Sequence, residues 1–232
     1  LGILYDMQMY SEPLNDDIFV DFIHSVYVET DRDSLKGEAL ELTDSRETVY
    51  SSNRGYQSTS YHRGTPNASE DGLESIERVV ESCYEYASVF LEKKFSASIH
   101  KMSWWLNVNR NGEFNVPHNH GRCDLMGLYY ISAPPQSGRL VLERNDGSSY
   151  SSLYDNEPGG RHIEIDPVEG RLYLIPGHLW HWVENNLSSD PRISIAINIY
   201  LHEWVYAYLL RMRLRGIERL SQEYWQPLSL TE

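Results

Sequence analysis

The chain has 232 residues, of which 41% are hydrophobic, and a formal net charge of -14. This length and composition predict a single folded domain with a buried core and exclude a disordered chain. The acidic balance argues against binding to duplex nucleic acid, and no apolar run approaches the roughly 20 residues that a membrane-spanning helix needs.

The cysteines and the N-terminal residues indicate the compartment. Cys83 and Cys123 suggest no disulfide framework, which predicts two free thiols in a reducing environment. The first residues lack a basic segment followed by an apolar block, so they do not resemble a secretory signal. We therefore expect a soluble, cytoplasmic protein with a small-molecule substrate and with neither a nucleic-acid nor a membrane partner. A homodimer is compatible with the sequence.

Residues 1–100 are predicted to form helical and loop support for the rest of the chain. Apolar residues recur at helical spacing over 16–28, which predicts a helix there. Residues 30–66 are polar and rich in Ser, Asp, Arg and Gly, which predicts a loop. A second helix is predicted over about 69–94, capped by Ser69, with an apolar stripe that packs into the core.

Residues 101–201 are predicted to form the centre of the fold. Six runs rich in β-branched and aromatic residues alternate with turn signals such as Asn111-Gly112 and Pro176-Gly177. Many short strands at this spacing predict a mainly β sandwich or jelly roll. Residues 202–232 return to a helical pattern, so we expect one domain in which N- and C-terminal helices flank a β core.

Two short windows of the β region contain candidate metal ligands. His118 and His120 form a His-x-His pair, which on a strand would place both imidazoles on one face. Such a pair alone is more often a surface feature than a metal site. His181 follows a Pro-Gly turn, and in an antiparallel jelly roll it can face the other two. We prefer it to His178 as the distal ligand, and three protein ligands leave coordination positions open for catalysis.

A candidate anion-binding pair follows eleven residues after His181. Arg192 and Ser194 would face the same way on a strand, and an arginine gives a charged, two-pronged grip on a carboxylate. An arginine in so apolar a run would be costly without an anionic partner. The alternative is a strand-end arginine that pairs with a surface acid.

The order and spacing of these residues resemble the 2-oxoglutarate/Fe(II) oxygenase superfamily. More closely, the chain is similar to a group of these enzymes with a Gly-x5-His-x-His segment. The resemblance implies a double-stranded β-helix fold, Fe(II) as cofactor, and 2-oxoglutarate and O2 as cosubstrates. It is carried by residues 112–120, 126–131, 170–176, 179–183 and 192–198.

The resemblance also implies roles for particular residues. The usual ligand set is two histidines and one carboxylate, but His120 occupies the carboxylate position. Either His118, His120 and His181 hold the metal, which we favour because neutral imidazoles are ordinary iron ligands, or Asp124 replaces one of the first two. Cosubstrate-binding residues would be Arg192 and Ser194 at the distal C5 carboxylate, where Tyr129 or Tyr130 could also donate a hydrogen bond. Asn107 would meet the C1 carboxylate. No catalytic residue beyond the metal centre is expected.

The expected reaction is oxidation of an unactivated C–H bond in a small substrate, such as an amino acid or a natural-product intermediate. Hydroxylation is expected first, with desaturation or cyclisation as alternatives, and succinate and CO2 would be the coproducts. Two rival functions stay open. One is a cupin-like three-histidine dioxygenase that does not use 2-oxoglutarate, and the other is a non-catalytic β-sandwich binding module.

Overall fold

The structure is a computed structural model that describes residues 22–49, 51–65, 67–121, 123–143 and 162–201. The predicted C-terminal helix and residues 16–21 of the predicted N-terminal helix lie outside this part of the chain. The described residues form the following elements: β1 His24–Tyr27, α1 Arg32–Ser45, β2 Tyr56–Gln57, β3 Tyr61–His62, α2 Asn67–Glu70, α3 Glu74–Phe95, β4 Ile99–Asn109, β5 Asn115–His118, β6 Leu125–Ser132, β7 Leu140–Glu143, β8 His162–Ile165, β9 Arg171–Pro176, β10 His181–Val183 and β11 Arg192–Leu201.

The strands form two antiparallel sheets. The larger has seven strands in the order β1-β9-β6-β11-β4-β2, with β3 also paired to β4. The smaller has four strands in the order β5-β10-β7-β8. From β4 to β11 the chain crosses repeatedly between the two sheets, so neighbours within a sheet, such as β11 and β4, are far apart in sequence. The arrangement confirms the predicted double-stranded β-helix.

Residues on the long strands of the larger sheet alternate between two faces, because strand side chains point to opposite sides in turn. On β11, Ile193 and Ile195 join a core shared with the helices, whereas Arg192 and Ser194 line a cleft on the opposite face. That opposite face packs against the smaller sheet through a second core, to which β6 contributes Leu128. Functional side chains are therefore expected on the face between the sheets.

The polar segment 30–66 contains a helix, which corrects the prediction of a loop. In α1, Leu35, Ala39 and Leu42 are buried at helical spacing, and the Asp31 side chain accepts a hydrogen bond from the N–H of Ser34 at the helix start. The other positions are mostly exposed and polar. These polar positions dominate the average composition of the segment, so the narrow apolar stripe was not recognised from the sequence.

The apolar run that predicted a first helix continues instead into strand β1, so the prediction is wrong for residues 24–27. This strand pairs antiparallel with β9, with His24 opposite Leu174 and Tyr27 opposite Arg171. The His24 ring stacks on Phe90 of α3 at 4.3 Å between ring centroids. Pairing along a sheet edge thus overrides the local helical spacing.

The long predicted helix is present but starts later than predicted. Ser69 lies inside the short α2, and a turn at Gly72, with a φ of 74°, separates α2 from α3. The first turn of α3 is capped from another element, because the Glu38 carboxylate of α1 accepts from the N–H groups of Ser75 and Ile76. None of the described helices is long and apolar enough to cross a membrane.

Candidate metal centre

Three histidines from the two sequence windows converge between the sheets. His118 ends β5 and His181 begins β10, and the two residues face each other directly in the antiparallel pairing. His120 lies two residues past the end of β5. One ring nitrogen of each histidine lies within 4.8 Å of those of the other two, which is the arrangement needed to share one metal ion.

The sequence motif reaches this arrangement by a different route from the one predicted. His120 is not on the strand with His118, so strand alternation does not align the two rings. Instead, the His120 N–H donates to the carbonyl of Gly177 at 3.0 Å, which ties the two windows together. Only glycine fits there, since a Cβ on Gly177 would lie 2.3 Å from the carbonyl oxygen of Cys123.

Hydrogen bonds set the orientation of all three rings. Nδ1 of His118 lies 2.8 Å from the carbonyl of Val116, and Nδ1 of His181 lies 3.0 Å from the carbonyl of Leu179. Nδ1 of His120 bonds to Oδ1 of Asn198. All three partner oxygens are acceptors, so each Nδ1 carries the proton and each Nε2 is left with a free lone pair for a metal.

Burial keeps these rings neutral. It lowers the pKa of His118, and it lowers the pKa of His120 to about 4 and that of His181 to about 3, where the neighbouring histidines also contribute. A neutral imidazole is the form that binds a metal, so at neutral pH no proton has to leave first.

Arg192 begins β11 in the same cleft, where it is buried with an exposed fraction of 2%. Nη1 donates to the carbonyls of Ser137 at 2.6 Å and Glu184 at 3.2 Å, whereas Nη2 is buried without a hydrogen-bond partner among the described residues. No described carboxylate forms an ion pair with it, and burial lowers the pKa of the guanidinium. Burying a cation without an ion pair is costly, so this guanidinium favours the binding of an anionic ligand beside it.

Further polar groups line the same cleft, which has an empty volume of about 530 Å³ that includes space open to solvent. The Tyr130 hydroxyl is buried and has no partner among the described residues, and burial raises its pKa. Ser194 and Asn107 also line the cleft, and Oδ1 of Asn107 accepts from Nδ2 of Asn53 at 3.0 Å. Apart from the histidines, the cleft therefore offers one cation and several neutral donors.

Tyr129 is placed differently from the prediction. It belongs to the core on the helix side of the larger sheet, and its hydroxyl lies 2.8 Å from the Thr30 hydroxyl. Its neighbour Tyr130 faces the cleft because adjacent strand residues point in opposite directions. Of the two tyrosines considered, the structure therefore makes Tyr130 the candidate for the cosubstrate.

Asp124, the alternative third ligand, is engaged elsewhere. One of its carboxylate oxygens accepts from the Leu201 N–H at 2.8 Å, and its backbone N–H donates to Ile199. Among the described residues, the group that could hold a metal contains the three histidines and no aspartate. This placement favours His120 over Asp124.

Two cleft features were not assigned from the sequence. Asn198, which bonds to His120, continues the alternating series from Arg192 and Ser194 on β11, so strand period could have identified it. Gln57 of β2 lines the cleft because β2 pairs with the edge of β4, and a two-residue strand gives no periodic signal.

Comparison with known families bears on this site directly. Residues 103–198, which include all the candidate ligands, match the family model described as "Putative 2OG-Fe(II) oxygenase". Over this strand core, the chain is similar to the 2OG-Fe(II) oxygenases. The family uses Fe(II), 2-oxoglutarate and O2. No curated protein matches the chain in sequence.

Solved structures share the fold at low sequence identity. A prolyl hydroxylase from Trichoplax adhaerens, in complex with a hypoxia-inducible-factor peptide, has a TM-score of 0.55 and 18% identity, with 80% of this chain and 86% of that chain covered. The epimerase SnoN, in complex with Fe3+, alpha ketoglutarate and nogalamycin RO, has a TM-score of 0.52 and 14% identity, with 78% and 79% covered. A Pseudomonas putida prolyl-4-hydroxylase has a TM-score of 0.50 and 15% identity, with 80% and 96% covered.

The residues present fit the cofactor set of the family. Three neutral imidazoles suit Fe(II) and leave coordination positions for a chelating cosubstrate. Nη2 of the buried Arg192 and the Tyr130 hydroxyl, each lacking a partner among the described residues, suit a carboxylate in the same cleft. The fit therefore rests on both the donor set and the unmet hydrogen bonds.

Proposed function

We propose that this protein is an oxygenase that holds Fe(II) with His118, His120 and His181, binds 2-oxoglutarate through Arg192, and hydroxylates a small organic substrate. The buried Nη2 of Arg192, without a partner among the described residues, carries the proposal. A site that bound a metal but no dianionic cosubstrate would have no use for an uncompensated guanidinium in an otherwise neutral cleft.

The protein's own residues would bind and orient the reactants. Arg192 and Tyr130 would hold the C5 carboxylate of 2-oxoglutarate, with Ser194 as a further donor on the same strand face. Nδ2 of Asn107 would reach the C1 carboxylate, because its Oδ1 is already bonded to Asn53. When bound, Fe(II) and 2-oxoglutarate supply the oxidising chemistry with O2, and the protein excludes water and fixes geometry.

The substrate proposal rests on what lines the cleft near the histidines. Trp105 lies beside His120 at 5.6 Å between ring centroids, and Gln57 and Ser52 form another part of the wall. No acidic side chain lines this cleft among the described residues. An aromatic and amide wall favours a compact, uncharged portion of substrate at the reacting position. Hydroxylation is proposed as the outcome because it needs no further catalytic residue.

The proposal is tested by anaerobic titration of the metal-free protein with Fe(II) and then 2-oxoglutarate. We expect one Fe(II) per chain and a visible metal-to-ligand charge-transfer band when 2-oxoglutarate is added. Succinate release is then measured against free amino acids, prolyl peptides and aromatic natural products, since the fold relatives include prolyl hydroxylases and an epimerase crystallised with nogalamycin RO.

Arg192→Met is the matched variant, because it keeps the bulk of the side chain and removes the charge. We expect unchanged Fe(II) binding and 2-oxoglutarate binding weakened by about 100-fold, since losing one partner of a buried charge pair costs about 2–5 kcal/mol. Circular dichroism checks that the fold is retained. Equal 2-oxoglutarate affinity in the two proteins would remove the cosubstrate assignment and favour the three-histidine dioxygenase that does not use it.

A further inference from the structure

The three histidines are oriented by two different kinds of partner. His118 and His181 each donate from Nδ1 to the backbone carbonyl two residues earlier, on Val116 and Leu179. The Nδ1 of His120 bonds to a side chain, the Asn198 amide oxygen, 78 residues away in sequence. A substitution cannot remove a backbone carbonyl, but it can remove the partner of His120.

Asn198 is held in the orientation that this bond requires. It lies on β11 on the cleft side of the larger sheet, opposite Ser103 of β4 and Met126 of β6. Its Nδ2 donates to the Tyr200 hydroxyl at 3.4 Å, which leaves Oδ1 for the imidazole. The bond to His120 thus joins the loop after β5, in the smaller sheet, to the strand of the larger sheet that carries Arg192.

His120 has more need of such a partner than the other two histidines. His118 and His181 lie on paired strands that fix their backbone, whereas His120 lies beyond the strand end. Its backbone is tied to the Gly177 turn, and one side of its ring lies near Trp105, but neither contact selects which nitrogen carries the proton. Only the hydrogen bond to Asn198 does so among the described contacts of this ring.

We propose that Asn198 is a positioning residue for the third metal ligand: it fixes His120 as the Nδ1–H tautomer and aims Nε2 at the metal. This inference rests on the metal site of the proposed function. It also explains how a chain with histidine in the usual carboxylate position can keep that ligand in place. The amide supplies an acceptor without adding a negative charge next to a neutral ligand set.

The first test is Co(II) binding, followed anaerobically by calorimetry and by the visible cobalt spectrum. Loss of an outer hydrogen-bond partner typically costs 10- to 100-fold in metal affinity. We expect a loss of this size in Asn198→Ala and at most a small loss in Asn198→Asp, which keeps an acceptor at the same position. Asn198→Asp is therefore the matched control. Tyr200→Phe removes the contact on the Nδ2 side of the amide and should lose less affinity than Asn198→Ala, because the Asn198 acceptor is still present.

The second test reads the tautomer directly in the metal-free protein. Nitrogen-15 NMR of the histidine side chains is expected to show His120 as a single Nδ1–H tautomer in the wild type and in Asn198→Asp. In Asn198→Ala it should shift toward a mixture, while His118 and His181 stay unchanged. A variant that is merely less stable would not change one histidine and spare the other two.

The outcomes separate this inference from the proposed function. If the wild type binds no Co(II), the metal site itself fails. If the wild type binds Co(II) and Asn198→Ala binds it equally well with an unchanged His120 tautomer, the positioning role is overturned and the metal site stands. Should Asn198→Ala fail to fold, Asn198→Leu carries the same test, because it keeps the volume and lacks the acceptor.

Discussion

At the scale of single residues, the site contains buried polar groups that have no hydrogen-bond partner among the described residues. Nη2 of Arg192 and the hydroxyl of Tyr130 are both buried without partners and line one cleft. Buried polar groups in folded proteins are almost always paired, because leaving one unpaired costs about 1–3 kcal/mol. Two such groups in one cleft therefore indicate a ligand that completes them.

Tyr130→Phe tests whether the Tyr130 hydroxyl binds this ligand. We expect 2-oxoglutarate to bind about tenfold or more weakly, since a hydrogen bond to a charged group contributes about 1.5–3 kcal/mol. The free energy of unfolding of the unliganded protein should not fall, because the hydroxyl has no partner to lose among the described residues. The dissociation constant is measured through the charge-transfer band, and stability by urea unfolding.

Tyr129→Phe is the matched control, one residue away on the opposite face. It removes the 2.8 Å hydrogen bond between the Tyr129 and Thr30 hydroxyls. We expect a loss of about 1 kcal/mol in the free energy of unfolding and no change in 2-oxoglutarate affinity. The opposite pattern in the two variants would show that the tyrosines have been assigned to the wrong faces.

At the scale of elements, one strand and one turn organise the site. The cleft face of β11 presents Arg192, Ser194 and Asn198 in a single alternating series, so anion binding and orientation of His120 come from the same strand. The turn between β9 and β10 accepts the His120 N–H at Gly177 and leads directly into His181. This turn thus links the second and third ligands.

Gly177→Ala tests the role of the turn. The added Cβ would lie 2.3 Å from the Cys123 carbonyl, so backbone must move. We expect a loss of about 1–3 kcal/mol in stability, as is usual for overpacking, together with at least tenfold weaker Co(II) binding as His120 and His181 shift. Calorimetry and urea unfolding measure the two effects.

Gly37→Ala in α1 is the control for a glycine whose Cβ meets nothing within 4 Å. In a helix this change should stabilise the protein by about 0.5–1 kcal/mol and leave metal binding unchanged. If Gly177→Ala bound Co(II) as tightly as Gly37→Ala, the proposed coupling between the turn and the ligands would be wrong.

At the scale of the whole molecule, the site spans both sheets. His118 and His181 come from the smaller sheet, whereas Arg192, Tyr130 and Asn198 come from the larger one. Ligands that bind groups from both sheets join them through contacts that the unliganded protein lacks. Binding energy gained there adds to the stability of the native state.

Thermal unfolding should show this stabilisation by ligands in two steps, first with the metal and then with 2-oxoglutarate. At 100 times the dissociation constant, a ligand stabilises the native state by about 2.7 kcal/mol, which for a chain of this size corresponds to a rise in Tm of about 5–10 °C. We expect Co(II) alone to raise Tm, and 2-oxoglutarate to raise it further only when the metal is present. An equal rise from 2-oxoglutarate without metal would show that its binding does not depend on a metal at the histidines.

The runs of β-branched and aromatic residues over 101–201, with the turn signals between them, were enough to predict the sheets. The spacing of His118, His120, His181 and Arg192 was enough to nominate the site. These signals are local, because strand period and turn residues act over a few positions. Asp31, Leu35 and their neighbours carry a local helix signal too, but average polarity concealed it.

Tertiary structure alone decided how these pieces meet. Residues 24–27 became a strand because β9 offered an open edge, and His120 reached the other ligands through the Gly177 turn rather than along β5. Tyr130 rather than Tyr129 entered the cleft because the register of β6 fixed which residues face the smaller sheet. These choices depend on contacts between distant segments, so the order of residues along the chain does not reveal them.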